Sequence, residues 1–92
     1  MNDYSRYKLA EIGHNDCVDT GGRAFHVQTE VIATKSIRIK TTIFQNGAVL
    51  DAIQQDLSGT RDDSADVIQK MAKIQHERAV KKVREGKYLS SI

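Results

Sequence analysis

Apolar and polar side chains alternate along FHVQTEVI, residues 25–32, and again along SIRIKTTIF, residues 36–44. A period of two marks a strand with one buried face. Two long strands are therefore predicted, with inward sets Phe25, Val27, Thr29, Val31 and Ile37, Ile39, Thr41, Ile43. If both sets share a face, Val31 pairs near Ile37 across a loop of about five residues. Two dipeptides flanking these strands, Gly21-Gly22 and Asn46-Gly47, permit the successive positive φ angles of a two-residue hairpin. The first turn sets Thr20 opposite Arg23, Val18 opposite Phe25 and Cys17 opposite His26. The second sets Phe44 opposite Val49, Ile43 opposite Leu50 and Thr41 opposite Ala52.

The segment AVLDAIQQDL after the second turn fits two periods. Val49, Leu50, Ile53 and Leu57 recur at helical spacing, and Ala, Leu and Gln are good helix formers. The Asn-Gly turn implies a returning partner, so the segment is read as a fourth strand. After SGTRDDSAD, where Asp63 or Ser64 is placed to cap and Asp62, Asp63 and Asp66 suit a helix N-terminus, a long helix runs to about Glu85. Its apolar stripe is Val67, Ile68, Met71, Ala72, Ile74, Ala79 and Val83, interrupted by Gln75 and Arg78, and Gly86 is its C-cap. Tyr88, Leu89 and Ile92 form a tail that folds back or reaches a partner.

These elements predict a single α+β domain over residues 1–92: a four-stranded antiparallel β-meander with one long C-terminal helix packed on one face. Residues 1–13, with Tyr4, Tyr7, Leu9 and Ile12, are read as an edge strand or a mobile lead-in. No apolar run approaches the roughly 20 residues that cross a bilayer, and the N-terminus lacks the basic and apolar regions of a secretory signal. A cytoplasmic location is expected, consistent with Cys17 being the single cysteine.

Charge is unevenly placed. Lys70, Lys73, Arg78, Lys81, Lys82, Arg84 and Lys87 face only Asp66, Glu77 and Glu85 from residue 64 to the C-terminus, although the net charge is just +2. Such a helix is either a solvated surface or a tracker of phosphates, with Lys70, Lys73, Arg78, Lys81, Lys82 and Arg84 as the anion-binding set. The sheet face away from the helix is predicted to carry Cys17, Asp19, His26, Gln28, Glu30, Arg38, Lys40 and Thr42. Among these, His26, Gln28, Glu30, Arg38 and Lys40 form the candidate interaction face.

Catalytic and metal chemistry find weaker support. Cys17 and His26 are cross-strand neighbours, and His14 lies three residues before Cys17, so a thiolate and two imidazoles are available for zinc. Structural zinc sites usually show two tight ligand pairs, and only one loose set is present. A Cys17–His26 nucleophile pair lacks an evident third orienting residue or oxyanion motif. GTRDDS lacks the second glycine and the lysine of a phosphate-binding loop. No cofactor, metal, catalytic residue or small-molecule substrate is therefore assigned.

FHVQTE, TIFQNGAVL and MAKIQHERAVKKVREGKY together resemble a short bacterial module of no established activity. Its pattern is an aromatic-His-aliphatic-Gln-Thr-Glu strand, a strand ending in Phe before a glycine turn, and a helix with a Gln-His pair and a Gly-aromatic end. The resemblance spans about Arg23 to the C-terminus. It implies the strand-hairpin-helix order and points to His26, Gln28, Glu30, Gln75 and His76. The expected function is a small non-enzymatic interaction module whose partner is another protein or itself. The alternative is a nucleic-acid-binding accessory protein that uses the basic helix.

Overall fold

A computed structural model describes residues 13–33, 36–57 and 65–89. Four strands, β1 (Gly13–Thr20), β2 (Arg23–Ala33), β3 (Ile37–Gln45) and β4 (Ala48–Asp56), pair antiparallel in chain order, and helix α1 (Ala65–Arg84) packs on one face. This is the predicted α+β meander. Residues 1–12, the capping candidates Asp63 and Ser64, and Ile92 lie outside the described residues.

Both hairpins close through left-handed backbone, at Gly21 and Gly22 (φ 61° and 77°) and at Asn46 and Gly47 (φ 51° and 79°). This twist matches that of the flanking strands. The first hairpin has the expected register, with Thr20, Val18 and Cys17 opposite Arg23, Phe25 and His26.

Two registers differ from expectation. Val31 lies opposite Ile39, and Ala33 rather than Val31 faces Ile37. A shift of two residues leaves every side chain on its own face, so the inward sets still meet. In the second hairpin Phe44 pairs with Val49 as expected, but Ile43 then pairs with Asp51 and Thr41 with Ile53, because a bulge leaves Leu50 as an extra residue. The bulge explains the ambiguous spacing of this segment: Leu50 and Ile53, three apart, cannot share one face of a regular strand. With the bulge, both pack against the core.

Helix α1 ends with a pair of tightening bonds, Gly86 N–H to Val83 O (3.0 Å) and Lys87 N–H to Lys82 O (3.1 Å), with Gly86 at φ 78°. These satisfy carbonyls that a helix end would otherwise leave open. The following turn folds back onto the sheet. Arg23 Nη1 donates to Leu89 O at 2.8 Å, and Tyr88 Oη donates to Asp51 Oδ2 at 2.7 Å. Leu89 sits so close to the first hairpin that a Cβ on Gly21 would lie 2.9 Å from its Cδ1.

Burial of the Tyr88 ring, then its hydrogen bond to Asp51 and the nearby carboxylate charge, push its phenol up to about 12 from 10.0. The neutral phenol is favoured in the folded state, so its stabilising effect is complete below pH 10 and is lost as pH rises toward 12. Tyr88→Phe should cost about 1 kcal/mol at neutral pH. Urea titrations between pH 9 and 12 should show part of the alkaline loss of stability missing in the variant.

The core divides into two apolar clusters. Val18, Phe25, Val27, Ile43, Ala79, Val80, Val83 and Tyr88 form one, and Ile37, Ile39, Leu57, Ile68 and Ala72 the other. Thr29, Thr41, Gln75 and His76 are buried between them. Their position corrects the expected helix stripe: Gln75, His76 and Val80 belong to the buried face, whereas Ile74 is 49 % exposed.

Candidate functional site

Polar residues gather on the two opposite faces of the sheet, for different reasons. On the outer face, strand alternation presents Asn15 and Cys17 from β1, His26, Gln28 and Glu30 from β2, and Arg38, Lys40, Thr42 and Phe44 from β3. The five residues of the predicted interaction face are therefore neighbours on one surface. Glu30 stands opposite Lys40, and Gln28 opposite Thr42. His26 Nε2 lies 3.0 Å from Asn15 Oδ1, and its ring centroid is 5.8 Å from that of Phe44. Asn15 can only accept through Oδ1, so this bond places a proton on Nε2. Cys17, Ala24, His26, Gln28, Phe44 and Gly47 line a shallow depression of about 380 Å³ here.

The helix-facing side holds a connected polar chain. Gln75 Nε2 donates to Thr41 Oγ1 at 2.9 Å and lies 3.1 and 3.2 Å from the Ile39 and Ile53 carbonyl oxygens. Thr41 Oγ1 is 2.7 Å from Thr29 Oγ1, which is 2.8 Å from His76 Nδ1, and His76 Nε2 is 2.6 Å from Asp16 Oδ2. The available protons order this chain. Thr41 accepts from Gln75 and donates to Thr29, Thr29 donates to His76 Nδ1, and the His76 Nε2 proton goes to Asp16. Every buried member is satisfied in this arrangement, with a neutral imidazole.

Asp16, His76 and Thr29 reproduce the acid-base-hydroxyl order of a hydrolytic triad. The hydroxyl in the nucleophile position is only 1 % exposed and is shared with Thr41, so no substrate atom reaches it. The arrangement is a strut tying β1, β2 and β3 to the helix. His14 adds a ring 5.2 Å from that of His76, and its Nε2 is buried with no hydrogen-bond partner.

The zinc set considered from sequence does not assemble. His14 shares the helix-facing parity of β1 with Asp16 and Val18, whereas Cys17 and His26 project from the outer face. Among the described residues, no three His, Cys, Asp or Glu side chains are placed to hold a metal ion. The Gln75-His76 pair likewise lies on the opposite side of the sheet from His26, Gln28 and Glu30.

Lys70, Lys73, Arg78, Lys81, Lys82 and Arg84 are all exposed on α1. Four of them divide between its two flanks. Arg78 and Lys82 line a groove of about 430 Å³ toward β4, and Lys81 and Arg84 line one of about 450 Å³ with Asp16, His76 and Glu77. A single phosphate track would need them on one line.

Sequence reasoning missed Asn15, Asp16 and Asp51 as partners of His26, His76 and Tyr88. A signal for Asp16 was present: it shares strand parity with Val18, so a carboxylate is aimed at the helix side and needs a donor there. Among the described residues, no helix is long and apolar enough to cross a membrane. Compared with protein-family models, curated proteins and solved structures, the chain matches none.

Proposed function

We propose that this chain is a small cytoplasmic protein-interaction module without catalytic activity, and that it associates with itself. The observation carrying this reading is the one-sided fold. A single helix covers one face of the sheet, and among the described residues nothing lies over the other, where His26, Gln28, Glu30, Arg38 and Lys40 are side by side. An open sheet face with mixed polar groups suits a protein surface, which supplies both hydrogen-bond partners and complementary charge. The buried polar groups that resemble catalytic sets are committed to holding the core together. Cys17 is an exposed free thiol, which a reducing compartment keeps unpaired. Sedimentation velocity from low micromolar to millimolar protein should give a rising mass average. A constant monomer mass across that range would remove self-association.

The alternative reading, a nucleic-acid-binding accessory protein, is favoured by the exposure of every cation in the helical set. The placing of Arg78 and Lys82 on one flank and of Lys81 and Arg84 on the other weakens it. Fluorescence anisotropy with a mixed short oligonucleotide would detect affinity that falls steeply with salt. Replacing Lys81 and Lys82 by Gln should then weaken binding, and absence of binding at low salt eliminates this function.

A further inference from the structure

We propose that the Asn46-Gly47 turn between β3 and β4 is a self-modification site, where the Asn46 side-chain amide is lost by cyclisation onto the Gly47 main-chain nitrogen while the protein is folded. Water is the co-reactant. This inference is independent of the self-association reading.

The reaction needs a main-chain nitrogen that the side-chain carbonyl carbon can approach. Of the three asparagines, Asn2, Asn15 and Asn46, only Asn46 precedes a glycine, whose missing Cβ leaves the nitrogen unshielded. A Cβ built on Gly47 would meet nothing within 4 Å, so the surroundings also leave room for a ring. The nitrogen must in addition be free to move. The ladder of β3 and β4 closes at Gln45 opposite Ala48, so Gly47 lies beyond its last rung and the attack breaks no strand pair. Asn46 is the one non-glycine residue among those described with left-handed backbone, at φ 51°. Bringing the reacting atoms to about 3–3.5 Å requires rotation of this backbone, and leaving the left-handed region relieves a steric cost. Both turn residues are exposed at the tip of an edge hairpin, where local opening is cheap and water is at hand. Asn15 is the contrast: it is paired with Gln28 inside a ladder, its Oδ1 is bonded to His26, and a residue with a side chain follows it.

The atoms balance as follows. A bond forms from Gly47 N to Asn46 Cγ, the Cγ–Nδ2 bond breaks, and Nδ2 leaves as ammonia with the Gly47 proton. Water then opens the cyclic imide. Cleavage of the new bond gives aspartate at position 46, and cleavage of the original peptide bond gives isoaspartate, with the main chain running through Cβ and Cγ. Aspartate keeps the turn, since Asp-Gly suits the same conformation, and sets a carboxylate on the depression beside His26 and Phe44. Isoaspartate lengthens the main chain inside a two-residue turn, so the pairs of Gln45 with Ala48 and Phe44 with Val49 lose their register.

The full chain is incubated at mildly alkaline pH in buffer and, in parallel, in urea, and its peptides are followed by mass spectrometry with isoaspartyl methyltransferase labelling. The expected result is a mixture of aspartate and isoaspartate at position 46, formed ahead of any change at Asn15. A reaction confined to globally unfolded molecules, about 10⁻³ or less of a small domain, would run about a thousandfold or more slower in buffer than in urea. Reaction in the folded protein predicts a smaller ratio. Gly47→Ala should slow conversion in urea by about tenfold or more, because the methyl group hinders the attacking nitrogen. A ratio of about a thousandfold or more overturns the proposal, as does conversion of Asn15 as fast as that of Asn46. Aspartate formed without isoaspartate would mean direct hydrolysis by water, and overturns the cyclisation.

Discussion

Phe25→Ala is expected to lose about 3–5 kcal/mol of folding stability, whereas Val49→Ala should change it by less than about 0.5 kcal/mol. Both are large apolar residues at strand positions, yet the structure treats them oppositely. Phe25 is buried at the centre of the first apolar cluster, against Val18, Val27, Ile43 and the last turns of α1. Val49 is 59 % exposed at the start of β4. Truncating Phe25 removes the transfer free energy of its ring and leaves a cavity that a hydrogen-bonded sheet closes only partly. A domain of this size has a total stability of about 5–14 kcal/mol, so the loss is a large part of the whole. Urea denaturation followed by circular dichroism gives both values. Equal effects at the two sites would contradict the placement of the core on the helix-facing side.

Thr29→Val should cost about 2–4 kcal/mol although it changes hardly any volume. The hydroxyl of Thr29 is the middle of the polar chain, and its loss leaves Thr41 without an acceptor and His76 Nδ1 without a donor. Each group is buried where water cannot substitute, so each carries a desolvation penalty of about 1–3 kcal/mol. At about 4–8 °C per kcal/mol for a domain of this length, the melting temperature should fall by about 8 °C or more. Replacing the whole set, with Thr29→Val, Thr41→Val, Gln75→Leu and His76→Phe together, removes the donors along with their acceptors. That variant should lose much less than the four single losses combined, because an unpaired group costs more than an absent one. Additive losses would mean that the four side chains act separately, and the proton order derived for the chain would fall.

The same four residues mark how far the sequence could be read. Thr29 and Thr41 were legible as members of inward sets, because strand parity assigns a face regardless of polarity. Gln75 was legible only as an interruption in the helical stripe. Its acceptors, on β3 and β4, lie 22 to 36 residues away in the chain. No local pattern encodes that pairing. The outer face was legible for the reason that made Thr29 so: His26, Gln28 and Glu30 alternate with Phe25, Val27 and Thr29. The groove beside β4 was not, since it depends on where the helix rests across the sheet.

By itself the sequence determined the order of strands and helix, both two-residue turns, the C-terminal glycine cap and the face to which each residue of β2 and β3 belongs. These follow from periodicity and backbone sterics, which act between residues a few positions apart. Only the tertiary structure decided the bulge at Leu50, the joining of Asp16, His76, Thr29, Thr41 and Gln75, the return of Tyr88 to Asp51 and the exposure of β4. Each depends on how a helix and a sheet with unequal numbers of buried positions fit together. Packing is a property of the two surfaces in contact, and neither surface alone encodes it.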